Sequence, residues 1–145
     1  MNRWENYHLS IADVAASKSK DPNTRVGCTI VDPFDRTIST GFNGLPRGIE
    51  DRAEILNDRD LKLMLTIHAE VNAILFAKQD LTGYSLYTTH SPCSNCSALI
   101  VQAGIARVVV GTHPDKKLTS RWDASIKLAK SIFKEAGVEF IEVDR

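Results

Sequence analysis

Four residues at two places in the chain can do chemistry together. His68 and Glu70 stand in His68-Ala69-Glu70, and two thiols stand in Pro92-Cys93-Ser94-Asn95-Cys96. One imidazole nitrogen and two thiolates make three ligands for Zn2+. A closed structural site needs four, so three leave one tetrahedral position for water. Glu70 lies two residues beyond His68, where its carboxylate can reach that water without binding the metal. Zinc brings such a water's ionisation near neutral pH, and a carboxylate beside it can take the proton and deliver it elsewhere. The set reads as metal-assisted hydrolysis, with one catalytic zinc per chain and Glu70 as proton carrier. A redox dithiol is the rival reading of Cys93-x-x-Cys96, but it wants a thioredoxin-like setting and leaves His68 and Glu70 without a task. A structural zinc would need a fourth ligand from Cys28, His90 or His113. Cys28 sits inside the apolar run from Val26 to Val31 and is expected to be a buried small hydrophobe.

Such groups must be held by something, and helix starts are the expected holders. The first turn of a helix carries unpaired N–H groups and partial positive charge, which favour thiolates and other anions. A helix is expected from His68 to Ala77, with Val71, Ile74 and Leu75 on one face and Thr66 as a possible cap. Another is expected from Cys93 to Ala103, with Pro92 in its first turn and Gly104 ending it. Ahead of these, Trp4, His8, Ile11 and Ala15, with Val14 alongside, recur at helical spacing, so residues 4–18 should form a helix with that face in the core. Ser19-Lys20-Asp21-Pro22-Asn23 stops it. Residues 26–31 and 37–41 read as a hairpin around the turn 32–35, and Asn57 or Asp58 should cap a short helix. Strands at 85–89, 107–111 and 138–143 and a helix at 122–136 complete the pattern. Strands alternating with helices imply an α/β fold, an α-β-α sandwich around a mixed sheet. Between strand 37–41 and the helices, Gly41-Phe42-Asn43-Gly44-Leu45-Pro46-Arg47-Gly48 packs three glycines and a proline into eight residues. Backbone in such a loop can approach a ligand closely, although an ordinary connection would have the same composition.

Composition narrows the function class. The 145 residues fit one domain, 1–145, and 43% hydrophobic with 25% charged residues is ordinary for a globular protein. Lys+Arg and Asp+Glu number 18 each, so the formal charge is zero. That opposes a chain built to grip a nucleic-acid backbone. Three cysteines, two of them committed to metal, suggest no disulfide framework and a reducing, cytoplasmic setting. Residues 1–8 have no apolar signal core, and no run is long enough to cross a bilayer.

His-x-Glu followed by Pro-Cys-x-x-Cys is the signature of zinc-dependent nucleobase deaminases. The chain resembles the deoxycytidylate (dCMP) deaminases of the zinc-dependent cytidine deaminase superfamily. The resemblance runs from about Ser19 to Val138: Ser19-Lys20-Asp21-Pro22 with Val26-Gly27, the loop Gly41 to Pro46, His68 to Ile74, Tyr87-Thr88-Thr89, Pro92 to Cys96, Gln102 to Ile105, and Ala136 to Val138. It implies a mixed five-stranded sheet flanked by helices, usually as a homohexamer, and hydrolysis of dCMP to dUMP and ammonia. By position it implies zinc on His68, Cys93 and Cys96, proton transfer by Glu70, a sugar contact from Asn43, and the Ser91 carbonyl on the exocyclic amine. It also implies activation by dCTP and inhibition by dTTP, with Mg2+ accompanying the triphosphate, through Phe42 and Gly44. The family loop commonly carries Tyr at position 42, so a phenol hydroxyl is missing here. The insertion that brings a second zinc in some members is absent. Lys20 or Arg25 is expected to meet the 5′-phosphate on charge alone, with Arg121 or a neighbouring subunit as the alternative. The competing functions are a deaminase of the same fold acting on another nucleoside, nucleotide or nucleic-acid base, and an idle zinc module that senses nucleotides.

Overall fold

The structure, a computed structural model, describes residues 2–112 and 120–145, with side chains of the second stretch described from 123 onward. His113 and the side chain of Arg121 therefore lie outside the described residues. Five strands form one sheet: β1 (Gly27–Val31), β2 (Thr37–Phe42), β3 (Ser85–Thr88), β4 (Arg107–Thr112) and β5 (Glu139–Asp144), in the order β2-β1-β3-β4-β5. β1 runs antiparallel to β2 and β3, whereas β3, β4 and β5 are parallel. The sheet is therefore mixed and five-stranded, as expected. β1 is buried at every position and β4 at its four central ones, which suits inner strands covered on both faces.

Helix α1 (Arg3–Ala16) covers one face, where Leu9 meets Val31, Tyr87, Val109 and Val143. On the other face Ala69, Ala73, Ile100 and Phe133 join Cys28, Ile30, Leu86, Val108 and Val110 in the larger core. These come from α4 (Ala69–Ala77), α5 (Ser94–Gln102) and α6 (Ser120–Ala136). Two short helices, α2 (Ala53–Leu56) and α3 (Arg59–Leu65), precede α4. Asp58 caps α3 by accepting from the Leu61 N–H. Cys28 is fully buried, as its apolar run suggests.

Two faces differ from their periodicity. In α1 His8 and Ala15 are buried as expected, joined by Glu5, Leu9 and Ala12, while Trp4 and Val14 are exposed. Two polar side chains in this stripe have partners. Glu5 receives Arg107 of β4 at 3.0 Å, and His8 Nε2 meets Asp35 Oδ1 of the hairpin turn at 3.0 Å. In α4 the inward face is Ala69, Ala73 and Ala77, while Leu75 points to solvent. Gly41 explains this. A methyl group there would lie 2.3 Å from the Ala69 carbonyl oxygen and 2.5 Å from the Ala73 nitrogen. Helix and strand touch through backbone, leaving no room for leucine. Thr66 ends α3 rather than capping the next helix, and Pro92 stands before the N-cap of α5 rather than inside its first turn.

Candidate active site

Both ligand stretches fall at helix starts on the larger-core face. His68 is the N-cap residue of α4 in extended conformation, so its carbonyl accepts the Asn72 N–H while its ring is free to leave the helix. Cys93 is the N-cap residue of α5, and its Sγ accepts the Cys96 N–H at 3.4 Å. The cap therefore orients one thiol, and the other lies one turn further along. His68 Nδ1 is 3.1 Å from Cys96 Sγ and 3.5 Å from Cys93 Sγ. All three donor atoms lie within 4.8 Å of one another. Tetrahedral zinc with bonds of about 2.1 Å to nitrogen and 2.3 Å to sulfur sets N and S roughly 3.5 Å apart. The donor set fits zinc with a shift of a few tenths of an ångström on the Cys96 side.

Electrostatics agree with the geometry. The Cys93 thiol is pulled down to about 4, chiefly by the hydrogen bond from Cys96, against the cost of burial. Cys96 is pushed far up by that same partnership and by burial. The bond to Cys93 raises His68. A metal ion would displace these shared protons, because zinc takes thiolates and neutral imidazole. Glu70, in the first turn of α4, is only 4% exposed and faces the Cys96 thiol. Burial raises its pKa, and the Cys96 bond and His68 oppose the rise. A carboxyl group held toward its neutral form beside the three donor atoms is suited to carrying a proton. Cys28, beneath it, is driven far up by burial and by Glu70, so it stays a thiol.

The remaining expected residues divide between two places. Ser91 stands in the β3–α5 turn, two residues before Cys93, with His90 beside it. His90 Nδ1 lies 2.8 Å from Thr89 Oγ1, which also accepts the Gly27 N–H at 3.1 Å. Asn43 is 7% exposed, and its amide already serves the backbone: Oδ1 accepts from Val26 N–H and Nδ2 donates to the Thr24 carbonyl. One Nδ2 hydrogen remains for a ligand. Lys20 and Asn43 line a cleft of about 260 Å³ with Lys18, Asp51, Phe42, Gly44 and Thr66. That lining stops two residues short of His68. Lys20 pairs there with Asp51 at 3.0 Å, and Arg25 is exposed, without an ion pair among the described residues.

The cleft is tied to helix α4 and the His68 before it by features that sequence reasoning did not find. Gly44 and Ile67 exchange both backbone hydrogen bonds, at 3.1 and 2.8 Å. Asn72 Nδ2 donates to the Phe42 carbonyl at 2.8 Å. Lys62 of α3, 5% exposed, forms an ion pair with Asp21 at 3.2 Å. Asp21 in turn accepts the N–H groups of Asn23 and Thr24. The Asp-Pro-Asn turn signals that local fold in sequence, but nothing local signals its partner.

Comparison with known proteins agrees with these findings. Residues 2–112 match the model of the cytidine and deoxycytidylate deaminase zinc-binding region. An uncharacterized deaminase in the luxG 3′ region of Aliivibrio fischeri is 42% identical over 96% of this chain and 92% of its own. Deoxycytidylate deaminases of Mus musculus and Homo sapiens are each 35% identical over 94% of this chain and 78% of theirs. The apo crystal structure of the dCMP deaminase from cyanophage S-TIM5 superposes with a TM-score of 0.76 at 23% identity, covering 99% of this chain and 100% of that one. That likeness shows the fold, including the expected α-β-α layering. A five-stranded mixed sheet, a His-Cys-Cys donor set with a buried glutamate beside it, and a family match across residues 2–112 lead to one assignment: the chain belongs to the cytidine and deoxycytidylate deaminase zinc-binding family.

Proposed function

We propose that the chain hydrolyses dCMP to dUMP and ammonia, with His68 Nδ1, Cys93 Sγ and Cys96 Sγ holding a single zinc and Glu70 moving protons. The observation that carries this is a three-donor cluster with a carboxyl group 4% exposed against one of its thiols. Zinc, when bound, supplies Lewis acidity that makes a water nucleophilic at neutral pH. Glu70 does the rest of the proton work. Its carboxylate takes one proton from the attacking water and delivers it to N3 of the cytosine ring, raising the electrophilicity of C4. It takes the second from the hydroxyl so placed on C4 and delivers it to the departing 4-amino group, so that the water oxygen replaces nitrogen at C4 and ammonia leaves. Burial raises Glu70 above the ordinary carboxylate range, the direction such alternation needs. The Ser91 carbonyl accepts from the amine, and the free Nδ2 hydrogen of Asn43 orients the sugar. Lys20 or Arg25 meets the phosphate. The 35% identity to mammalian deoxycytidylate deaminases supports the nucleotide as substrate. Zero net charge favours a small substrate over a nucleic acid.

Regulation by dCTP and dTTP with Mg2+, in a homohexamer, belongs to the same reading. Its support is Lys18, Phe42 and Gly44 along the cleft, joined to the residue before His68 by the Gly44–Ile67 pair. A triphosphate that shifts Gly44 therefore bears on a zinc ligand through one peptide. No helix among the described residues is long and apolar enough to cross a membrane, and three free thiols suit a reducing, cytoplasmic compartment. The test is ammonia release from dCMP, CMP, deoxycytidine, dCTP and a cytosine-containing oligonucleotide. dCMP should show the highest kcat/KM, and a preference for nucleoside or oligonucleotide overturns the assignment. The curve of rate against dCMP should be sigmoid, straightened by dCTP and shifted right by dTTP. A hyperbola indifferent to both removes the switch and leaves the chemistry.

A further inference from the structure

We infer that Ser125 of α6 is a positioning residue for the zinc turn, fixing the backbone from which Cys93 presents its thiolate. This rests on the zinc reading above. Ser125 Oγ accepts the Ser94 N–H at 2.9 Å and donates to Ser94 Oγ at 3.2 Å, across 31 residues of sequence. Ser94 is the first residue of α5, and its N–H is one of the donors that a helix start leaves without an internal partner. The usual N-cap side chain reaches deeper, and here Cys93 Sγ does so by accepting from Cys96 N–H. The first amide would be left to solvent. A side chain from another helix takes it instead.

The consequence is geometric. The peptide between Cys93 and Ser94 is pinned at both ends: its N–H by Ser125, and its carbonyl by the Ser97 N–H at 2.9 Å. With that plane fixed, ψ of Cys93 is fixed, at 171°. Only the side-chain torsion of Cys93 then remains, and the Cys96 N–H bond restrains it. The anchor is itself rigid. Ser125 adjoins Ile126, and α6 is held by Ala129 and by the fully buried Phe133, whose ring stacks on Phe140. Partners of this kind orient metal ligands without touching the metal, and their loss typically costs about 10- to 100-fold in metal affinity.

The experiment measures zinc affinity by chelator competition and the visible spectrum of the cobalt-substituted protein. It uses the full chain with Ser125→Ala, Ser125→Thr and Ser94→Pro. Ser125→Ala should weaken zinc by about 10- to 100-fold and shift or broaden the cobalt bands. Ser125→Thr, which keeps the hydroxyl, should restore both. Ser94→Pro deletes the donor itself while suiting the helix: proline is favoured at this first position, and φ −74°, ψ 171° at Cys93 is the extended backbone that a following proline requires. It should match the loss in Ser125→Ala, and combining the two should add nothing. A side chain that only steadies the fold would lower the melting temperature of the metal-free protein and leave the cobalt spectrum alone. Zinc affinity within twofold of the parent in both Ser125→Ala and Ser94→Pro overturns the inference while leaving the zinc site intact. A parent chain that takes up no zinc removes the site, and the inference with it.

Discussion

Lys62→Met is the change whose effect is most directly set by the structure. Lys62 and Asp21 are 3.2 Å apart with side chains only 6% and 11% exposed. At that separation and an effective dielectric near 20 the attraction is about 5 kcal/mol. Desolvation of both charges takes most of it back, so the intact pair adds little net stability, whereas removing one partner costs about 3–5 kcal/mol. Asp21 keeps the Asn23 and Thr24 N–H bonds, so the lower end, about 3 kcal/mol, is expected. Asp21→Asn, which strands a buried ammonium, should cost about the same. The double change should cost no more than either single one, giving a coupling near 3 kcal/mol, the top of the usual range. Urea unfolding of the zinc-loaded set at pH 7 measures this. Acid supplies a second check. Burial works to raise the Asp21 carboxyl, but the Thr24 and Asn23 bonds together with Lys62 outweigh it and hold it below its ordinary value of 3.8. A carboxyl depressed in the folded state stabilises above its unfolded pKa, and the contribution fades as pH falls through the folded one. The gap between parent and Lys62→Met should therefore be full above pH 5 and close as pH drops below about 4. Additivity within about 0.5 kcal/mol would refute the ion pair as a coupled unit.

Cys93→Ala or Cys96→Ala should lose zinc and stability together, since binding and folding are linked; full zinc occupancy by metal analysis in either variant would contradict the ligand assignment. Glu70→Gln should keep zinc but lose about 10⁴-fold in kcat, the upper end for acid–base catalysis, because the amide can neither accept nor return a proton. Activity within tenfold of the parent would exclude Glu70 as proton carrier. Gly41→Ala sets a methyl 2.3 Å from the Ala69 oxygen and must displace α4. Thermal unfolding should show a loss of about 1–3 kcal/mol with weakened zinc binding, and parental values in both would show that the contact is loose.

Much of the site was readable because its chemistry lies in residue identity and short spacing. His-x-Glu and Cys-x-x-Cys each span a single helix start, so local rules place their side chains. The five strands and all the helices except α2 (Ala53–Leu56) followed from periodicity and caps to within a few residues. What periodicity cannot convey is an exchange between distant elements. Glu5 and His8 are polar residues in a buried stripe, and they are there because Arg107 and Asp35 meet them across 102 and 27 residues. The apolar pattern of α1 places His8 and Ala15 in the core, but it does not show that Glu5, Leu9 and Ala12 join them while Trp4 and Val14 stay outside. The supports of the site, Lys62 on Asp21 and Ser125 on Ser94, are likewise long-range pairs with no sequence signature.

The loop at 41–48 shows how one composition can hide two functions. Its glycines read alike in sequence. In the structure Gly41 is a spacer that lets α4 rest on β2 through backbone, with Ala69 and Ala73 as the complementary small residues. Gly44 has open space around its Cα, apart from the Phe42 ring 3.9 Å away, and is bound by its backbone to Ile67. The first glycine fixes the helix that carries Glu70, and the second hangs the cleft on the residue before His68. Substituting the first should therefore disturb metal and fold, whereas an alanine at the second meets only ordinary contact. The cleft reaches α4 through the Gly44–Ile67 backbone pair and the Asn72–Phe42 bond. Removing the Asn72 amide, which leaves every zinc donor and Glu70 in place, is the change that should separate response to a triphosphate from turnover.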